Sequence, residues 1–212
     1  MPAFVIALLG AESTGKTTLA AALGQTLRSA GQTTAVVNEY LREFCDQHGR
    51  TPRQEEQTQI ASEQTRRIHA AAQDVDVVIA DTTALMTAVY SDKVFGDSSL
   101  YAEALRAHRR TDLTLITALD IAWQADGLQR DGPQVREPVD ALIRAALQGA
   151  GLAYSVVGGQ GDARLLHARR CIDHAMGLRL PMREEENESL VRWRGLCERC
   201  GDAACERLCL PR

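Results

Sequence analysis

The sequence predicts an α/β fold in which a parallel sheet carries helices on both faces. Short apolar runs typical of buried strands alternate with longer segments of helical character, as in a parallel sheet joined by helical crossovers. The chain has 212 residues, of which 45% are hydrophobic, and this suits one domain with a sizeable core. A glycine-rich motif directly follows the first apolar run, between a predicted strand and a predicted helix.

The first half of the chain begins with the apolar run Phe4–Leu9, and helix-forming residues follow from Thr18. A run at 34–37, rich in β-branched residues, predicts the second strand. The segment 52–74 is rich in Gln, Glu, Ala and Arg and is expected to be helical. The apolar run at 75–80 predicts the third strand.

The second half of the chain continues the alternation of helix and strand. Its predicted elements are helices at 83–90, 101–109, 138–148 and 162–176, and strands at 113–118 and 154–157. Proline is favoured at the start of a helix, and Pro138 therefore marks one. After Pro181 the composition changes, which predicts an α/β domain over 1–178 and a separate C-terminal region over 179–212.

Residues 10–17 match the phosphate-binding pattern G-x-x-x-x-G-K-[ST] at every position. Glycines let the backbone wrap closely around phosphates, so that its N–H groups point at them. We expect Lys16 to reach the β and γ phosphates of a nucleoside triphosphate and the Thr17 hydroxyl to bind Mg²⁺. The flanking strand and helix argue against a chance glycine-rich turn. The expected triphosphate contacts are Gly10, Glu12, Ser13, Thr14, Gly15, Lys16, Thr17 and Thr18.

Three acidic residues, Glu39, Asp81 and Asp120, each follow a predicted strand. Ligands of open parallel sheets bind beyond the carboxyl ends of the strands. Asp81 is expected to hold Mg²⁺ directly or through water, with a turn-forming aspartate as the alternative. Glu39 would orient an acceptor hydroxyl and take its proton, with a surface glutamate that caps the next helix as an equal alternative. Arg42, three residues on, would keep Glu39 ionised or touch substrate.

The polar segment 123–136 is interpreted as a lid over the nucleotide, because it contains glycines for bending and two arginines, Arg130 and Arg136. Positioned arginines stabilise phosphoryl transfer, so both are candidate catalytic residues. Trp123 at the start of the segment would stack on a flat substrate ring or pack in the core. An ordinary surface loop with solvated arginines is the alternative.

Composition limits the remaining classes of function. The formal net charge of −4 disfavours a non-specific nucleic-acid binder, which needs clustered Lys and Arg. No apolar run has the length of a membrane span, and no signal peptide is visible, so a cytoplasmic location is expected.

Four cysteines lie in the last 16 residues with the spacing C-x₂-C-x₄-C-x₃-C. Four thiolates at such spacing would close a tetrahedral Zn²⁺ site. A reduced tail without metal, a redox pair and an iron–sulfur cluster are the alternatives. The candidate zinc ligands are Cys197, Cys200, Cys205 and Cys209.

Four motif blocks occur in a fixed order along residues 3–177: Gly10-x-Glu12-Ser13-x-Gly15-Lys16-Thr17, Glu39-Tyr40-x-Arg42, Asp81-Thr82 with Thr87-x-x-Tyr90, and Trp123-x-x-Asp126-Gly127. Together they resemble the ribosylnicotinamide kinase domain of the bacterial NadR proteins and its stand-alone relatives. The resemblance implies a kinase that uses ATP and Mg²⁺ to phosphorylate the 5′-hydroxyl of nicotinamide riboside. The adenylyltransferase motif H-x-G-H of the full bacterial protein does not occur in this sequence.

The same resemblance implies roles for residues outside the phosphate loop. It places Glu39 near the ribose hydroxyls, Asp81 near the metal or the acceptor, and Trp123 and Asp126 at the substrate and lid. The sequence departs from the family pattern at Ala122, where proline is common, and at Gln129, where an arginine is expected. The arginine that contacts phosphate is therefore Arg130 or Arg136. The implied substrate contacts are Glu39, Tyr40, Arg42, Tyr90, Trp123 and Asp126.

The sequence therefore predicts an ATP-dependent kinase for nicotinamide riboside that acts in NAD salvage. Two alternatives stay open at this point. One is a kinase of the same architecture for another nucleoside or small alcohol. The other is an ATP-dependent regulatory or interaction module that docks through its cysteine tail.

Overall fold

The structure is a computed structural model that describes residues 2–124 and 132–177. In these ranges five parallel strands form one sheet in the order β2-β3-β1-β4-β5. The prediction of a parallel sheet is confirmed. The strands are β1 Phe4–Leu9, β2 Thr34–Val37, β3 Val77–Asp81, β4 Leu113–Thr117 and β5 Ser155–Val157.

Seven α-helices lie in the same described ranges and connect the strands. Each crossover from one parallel strand to the next contains at least one of them, as parallel pairing requires. The helices are α1 Lys16–Ser29, α2 Tyr40–His48, α3 Gln57–Ala71, α4 Ala84–Phe95, α5 Tyr101–His108, α6 Arg136–Gly149 and α7 Gly161–Ala175.

Both faces of the sheet are covered, as the sequence predicts. Successive residues of a strand point to opposite faces, and β1 shows this clearly. Ile6 and Leu8 are fully buried in a cluster with side chains of α1 and α7. Leu9 packs on the other face, against side chains of α4 and α6. Since β1 pairs with β3 on one side and β4 on the other, its carboxyl end lies in the middle of the sheet edge.

The structure corrects three features of the predicted elements. Helix α2 was not predicted, because it has only nine residues and buries just Phe44 and Cys45. Helix α4 continues past residue 90 to Phe95, where Gly96 ends it in the left-handed region with φ 68°. Helix α6 begins at Arg136, two residues before the predicted start. Pro138 is tolerated there, because backbone N–H groups of the first turn have no partner within the helix.

The predicted C-terminal region 179–212 lies outside the described residues, and so do its four candidate zinc ligands. That region and its zinc site stay predictions. Within the described ranges, none of the helices could span a lipid bilayer, given their lengths and polarity.

Candidate active site

The loop between β1 and α1 forms a tightly fixed cradle at the carboxyl edge of the sheet. Gly10 has a φ of 148°, and a Cβ atom at this position would lie 2.2 Å from the Thr117 hydroxyl oxygen. That hydroxyl donates to Thr14 Oγ1 at 2.7 Å, and Thr14 donates to the carbonyl of Ala11 at 2.8 Å. Gly15, with φ 77°, directs the chain into α1. The loop thus presents its backbone beside a helix N-terminus, which favours anions.

Lys16 is the first residue of α1, and its buried side chain folds back over this loop. Its ammonium nitrogen lies 2.9 Å from the carbonyl oxygens of both Gly10 and Ala11. These carbonyls hold the cation at the loop, where the β and γ phosphates of a nucleotide would bind.

Asp81 ends β3 directly beside the loop, since its register partner on β1 is Leu8. Its side chain is only 1% exposed. The Thr17 hydroxyl donates to Asp81 Oδ2 at 2.6 Å, whereas Oδ1 is buried and has no hydrogen-bond partner among the described residues. A hydroxyl and a carboxylate are the oxygen ligands that Mg²⁺ prefers. The unsatisfied Oδ1 atom therefore fits a metal at this position.

Glu39 occupies the N-cap position of α2, but its side chain makes no capping hydrogen bond. Instead it accepts from Arg42 Nε at 3.1 Å, and the carboxyl side chain is 13% exposed. The capping alternative for Glu39 is thus not supported by its contacts. Arg42 lies in the first turn of α2, so it reaches Glu39 as the predicted pairing of these two side chains requires.

The charges around Glu39 connect it to the phosphate loop. Burial raises the pKa of the Glu39 carboxyl, and the positive charge of Lys16 opposes this shift. The carboxylate of Asp81 raises the pKa further, while Arg42 lowers it. Lys16, Asp81 and Glu39 are therefore close enough to interact electrostatically. Perturbed carboxylates of this kind are typical of functional sites.

The two predicted tyrosine contacts differ in their surroundings. The ring of Tyr40 lies 4.4 Å from the guanidinium carbon of Arg67 on α3, and Arg67 also pairs with Glu43 and Glu63. This contact holds α2 against α3. Tyr90 lies on α4 and packs against the apolar cluster on that face of the sheet.

Glu12 of the loop connects both flanks of the predicted lid. Its Oε1 atom accepts from the indole N–H of Trp123 at 3.2 Å and from the backbone N–H of Gly132 at 3.0 Å. Ser13 Oγ accepts from the backbone N–H of Gln124 at 2.8 Å. These two side chains were predicted as triphosphate contacts, and here they hold the chain on either side of residues 125–131.

The two candidate lid arginines have different positions. Arg130, like Asp126, lies outside the described residues. Arg136 lies in the first turn of α6, on the same face as Val139, which packs against Leu9 and Ala11 at the loop. Its side chain is 8% exposed, and its Nε and Nη2 atoms have no hydrogen-bond partner among the described residues. A buried cation with unsatisfied donors suits an anionic ligand.

Arg164 on α7 supports the loop from the opposite face of the sheet, a role that the sequence did not predict. Its buried guanidinium donates to the carbonyls of Thr14 and Gly159 and to the Asp120 carboxylate. Asp120 also accepts from the backbone N–H of Gly159 at 2.6 Å. The glycine-rich turn before α7 was the available signal. Asp120, which follows the fourth predicted strand, therefore helps to hold Arg164 and the turn before α7 in place.

These features define a P-loop nucleotide-binding protein with a kinase-like parallel sheet. A family model described as an AAA domain matches residues 5–164, which is more than half of the chain. The chain therefore belongs to this AAA domain family. No curated protein matches the sequence.

Three solved structures have a similar fold. The NadR protein in complex with NR is similar over 84% of this chain and 52% of that chain, with a TM-score of 0.68 and 19% identity. The NadR protein in complex with NAD and AMP-PNP has a TM-score of 0.66 and 18% identity over 84% of this chain and 51% of that chain. Thymidylate kinase from Ehrlichia chaffeensis has a TM-score of 0.60 and 12% identity over 81% of this chain and 100% of that chain. This chain spans about half the length of the NadR chains.

Proposed function

We propose that this protein is an ATP- and Mg²⁺-dependent kinase that phosphorylates the 5′-hydroxyl of nicotinamide riboside to nicotinamide mononucleotide. One observation carries the proposal: the neighbouring strands β1, β3 and β2 end, at one edge of the sheet, in the loop that holds Lys16, in Asp81 and in Glu39. Phosphoryl transfer requires a cation on the phosphates, a metal ligand and a group that orients the nucleophile. The three side chains supply these functions in that order.

The phosphate loop and Lys16 would bind the β and γ phosphates of ATP. Thr17 and Asp81 would hold Mg²⁺, because they already share a hydrogen bond and Asp81 Oδ1 lacks a partner among the described residues. When bound there, Mg²⁺ would neutralise negative charge that develops on the phosphates during transfer.

Glu39 would orient the acceptor hydroxyl and take its proton. The hydroxyl oxygen forms a bond to the γ phosphorus, the bond from that phosphorus to the bridging oxygen of ADP breaks, and the proton passes to the Glu39 carboxylate. The raised pKa makes this carboxylate a stronger base than an exposed glutamate. General base catalysis of this kind contributes roughly 10²–10⁴ in rate.

Arg136 would contribute positive charge to the transferring phosphoryl group, together with or instead of Arg130. Two of its donor atoms lack partners among the described residues, and its helix starts at the edge that carries the loop. An anion placed there would satisfy these donors. The added cation would stabilise charge on the oxygens of the transferring group.

The choice of acceptor rests on the motif blocks and on the likeness to the NadR protein in complex with NR. Trp123 would stack on the nicotinamide ring, with its indole N–H fixed by Glu12. Tyr40, Arg42, Tyr90 and Asp126 complete the proposed substrate contacts.

A phosphotransfer assay with ATP, Mg²⁺ and a panel of nucleosides tests this function, with the product identified by mass. The panel contains nicotinamide riboside, thymidine, uridine and adenosine, together with thymidine monophosphate because of the similarity to thymidylate kinase. We expect a strong preference for nicotinamide riboside. Preference for another acceptor would retain the mechanism and overturn the substrate, whereas no transfer despite ATP binding would favour the regulatory alternative.

Lys16→Ala provides the site control for this assay, with Lys93→Ala on the exposed side of α4 as the matched variant. We expect Lys16→Ala to remain folded and to lose turnover, because the γ phosphate loses its cation. Lys93→Ala should transfer phosphate like the wild type. Normal turnover by Lys16→Ala would contradict the site assignment.

A further inference from the structure

Gln64 lies in the middle of α3 and is only 2% exposed. A buried side-chain amide must find partners for its donor and its acceptor. Gln64 Oε1 accepts from the backbone N–H of Tyr40 at 2.8 Å, and Nε2 donates to the backbone carbonyl of Thr82 at 3.3 Å. The orientation of the amide is fixed by these partners, because an N–H only donates and a carbonyl only accepts.

Both partners are next to proposed catalytic residues. Tyr40 follows Glu39, and Thr82 follows Asp81. The last register pair between β2 and β3 is Val37 with Ala80, so both carboxylates lie beyond the paired part of the two strands. The Gln64 side chain bridges the two chain segments where the sheet ladder no longer does.

The contact with Gln64 also holds the backbone of Thr82 in a strained conformation. It has a φ of 74°, which is an unfavourable conformation for a β-branched residue. Its backbone N–H donates to the carbonyl of Leu8 at 3.1 Å, and its carbonyl accepts from Gln64. A backbone held on both sides can keep such a conformation, and strained residues of this kind are found at functional sites.

We propose that Gln64 is a positioning residue that fixes the separation of Glu39 and Asp81, and so of the acceptor hydroxyl and the metal-bound phosphate. The proposal rests on the proposed function of this site. Reacting atoms must lie about 3–3.5 Å apart before transfer, and a displacement of about 1 Å can cost roughly 100-fold in rate. Gln64 contacts no substrate in this mechanism and acts only through the two backbone segments.

Two substitutions at Gln64 separate positioning from stability. Gln64→Met has a similar length and loses both hydrogen bonds, whereas Gln64→Asn keeps the amide but is too short by one methylene to reach both partners. Ile68→Val is the matched control, because Ile68 lies one turn further along α3 and is buried against the sheet. It removes one methyl group from the core, in a cluster that includes Val37 and Ala80, but leaves both hydrogen bonds of Gln64 in place.

We expect kcat to fall about 10- to 100-fold in both Gln64 variants, a larger change than the rise in the KM for ATP that a weakened Mg²⁺ site would cause. Ile68→Val should lose stability and keep its kcat. A kcat for Gln64→Met or Gln64→Asn that stays at the wild-type value would overturn the proposal, and so would an equal loss in Ile68→Val.

A second measurement needs no acceptor and so separates this proposal from the proposed function. The affinity for a non-hydrolysable ATP analogue is measured with and without Mg²⁺. Because Asp81 would be displaced, the gain in affinity from Mg²⁺ should shrink in both Gln64 variants and remain unchanged in Ile68→Val. An undiminished gain would overturn the positioning role, even if the wild type phosphorylates none of the nucleosides.

Discussion

The environment of Glu39 disfavours the ionised carboxylate, which is the form that the proposed reaction needs. The carboxyl is largely removed from water and lies near the negative charge of Asp81, and its pKa is raised as a result. A neutral carboxyl would suit the folded protein better, whereas the ionised form is the one that accepts a proton. Groups that are kept in such surroundings are characteristic of active sites.

We expect Glu39→Gln to stabilise the protein relative to the wild type, and the gain to grow as the pH rises above 4.5. The Glu39 carboxyl has a higher pKa in the folded protein than its ordinary value of 4.5. The folded state therefore holds the proton more tightly, and the contribution of Glu39 to wild-type stability falls as the pH rises from 4.5 through the raised pKa. Glutamine cannot ionise, so the variant avoids this loss. Denaturant unfolding of both proteins across the pH range measures the difference.

Glu137→Gln, on the exposed side of α6, removes the same charge from a solvated position and serves as the control. Unfolding of this variant at the same pH values gives the effect of removing one exposed carboxyl. A Glu39→Gln gain that is absent, or that shrinks with rising pH, would contradict the proposed environment of Glu39.

At the scale of elements, the phosphate loop depends on close approach of the backbone. We expect Gly10→Ala to lower the free energy of unfolding by about 1–3 kcal/mol and to weaken ATP binding. The new Cβ would meet the Thr117 hydroxyl at 2.2 Å, in a backbone conformation with φ 148°. Thermal unfolding and titration with an ATP analogue measure the two effects.

Gly149→Ala is the matched change in an element remote from the loop. Gly149 is the last residue of α6, and a Cβ there would meet no atom within 4 Å. Alanine should stabilise this position by about 0.4–1 kcal/mol, because it restricts the unfolded chain. Gly10→Ala with wild-type stability and ATP affinity would show that the loop is not packed as described.

Elements with a strong local pattern could be predicted from the sequence, and others could not. The apolar strand Phe4–Leu9 and the glycine-rich loop can each be recognised from a few consecutive residues. Helix α2 is short and is held mainly by contacts with α3, such as Arg67 with Tyr40, so its nine residues carry little signal of their own. The lid predicted at 123–136 includes Arg136, whereas the structure has this residue at the start of α6, two residues before Pro138.

At the scale of the whole molecule, the strand order assembles the site. Strands β2, β3 and β1 are neighbours, and their carboxyl ends carry Glu39, Asp81 and the phosphate loop. The sequence could predict that these ends share one edge, because parallel strands all point the same way. It could not predict Gln64 or Arg164, since their partners lie 18 to 150 residues away and depend on how the helices pack.

In the proposed mechanism these strand ends form one catalytic centre. The most direct test compares single-turnover phosphoryl transfer from ATP to nicotinamide riboside in the wild type and in Glu39→Gln. ATP affinity is measured on the same samples. We expect the wild type to form nicotinamide mononucleotide and the variant to do so roughly 10²–10⁴ times more slowly, with ATP affinity retained. Equal transfer rates in the two proteins would contradict the assignment of Glu39 as the group that receives the hydroxyl proton.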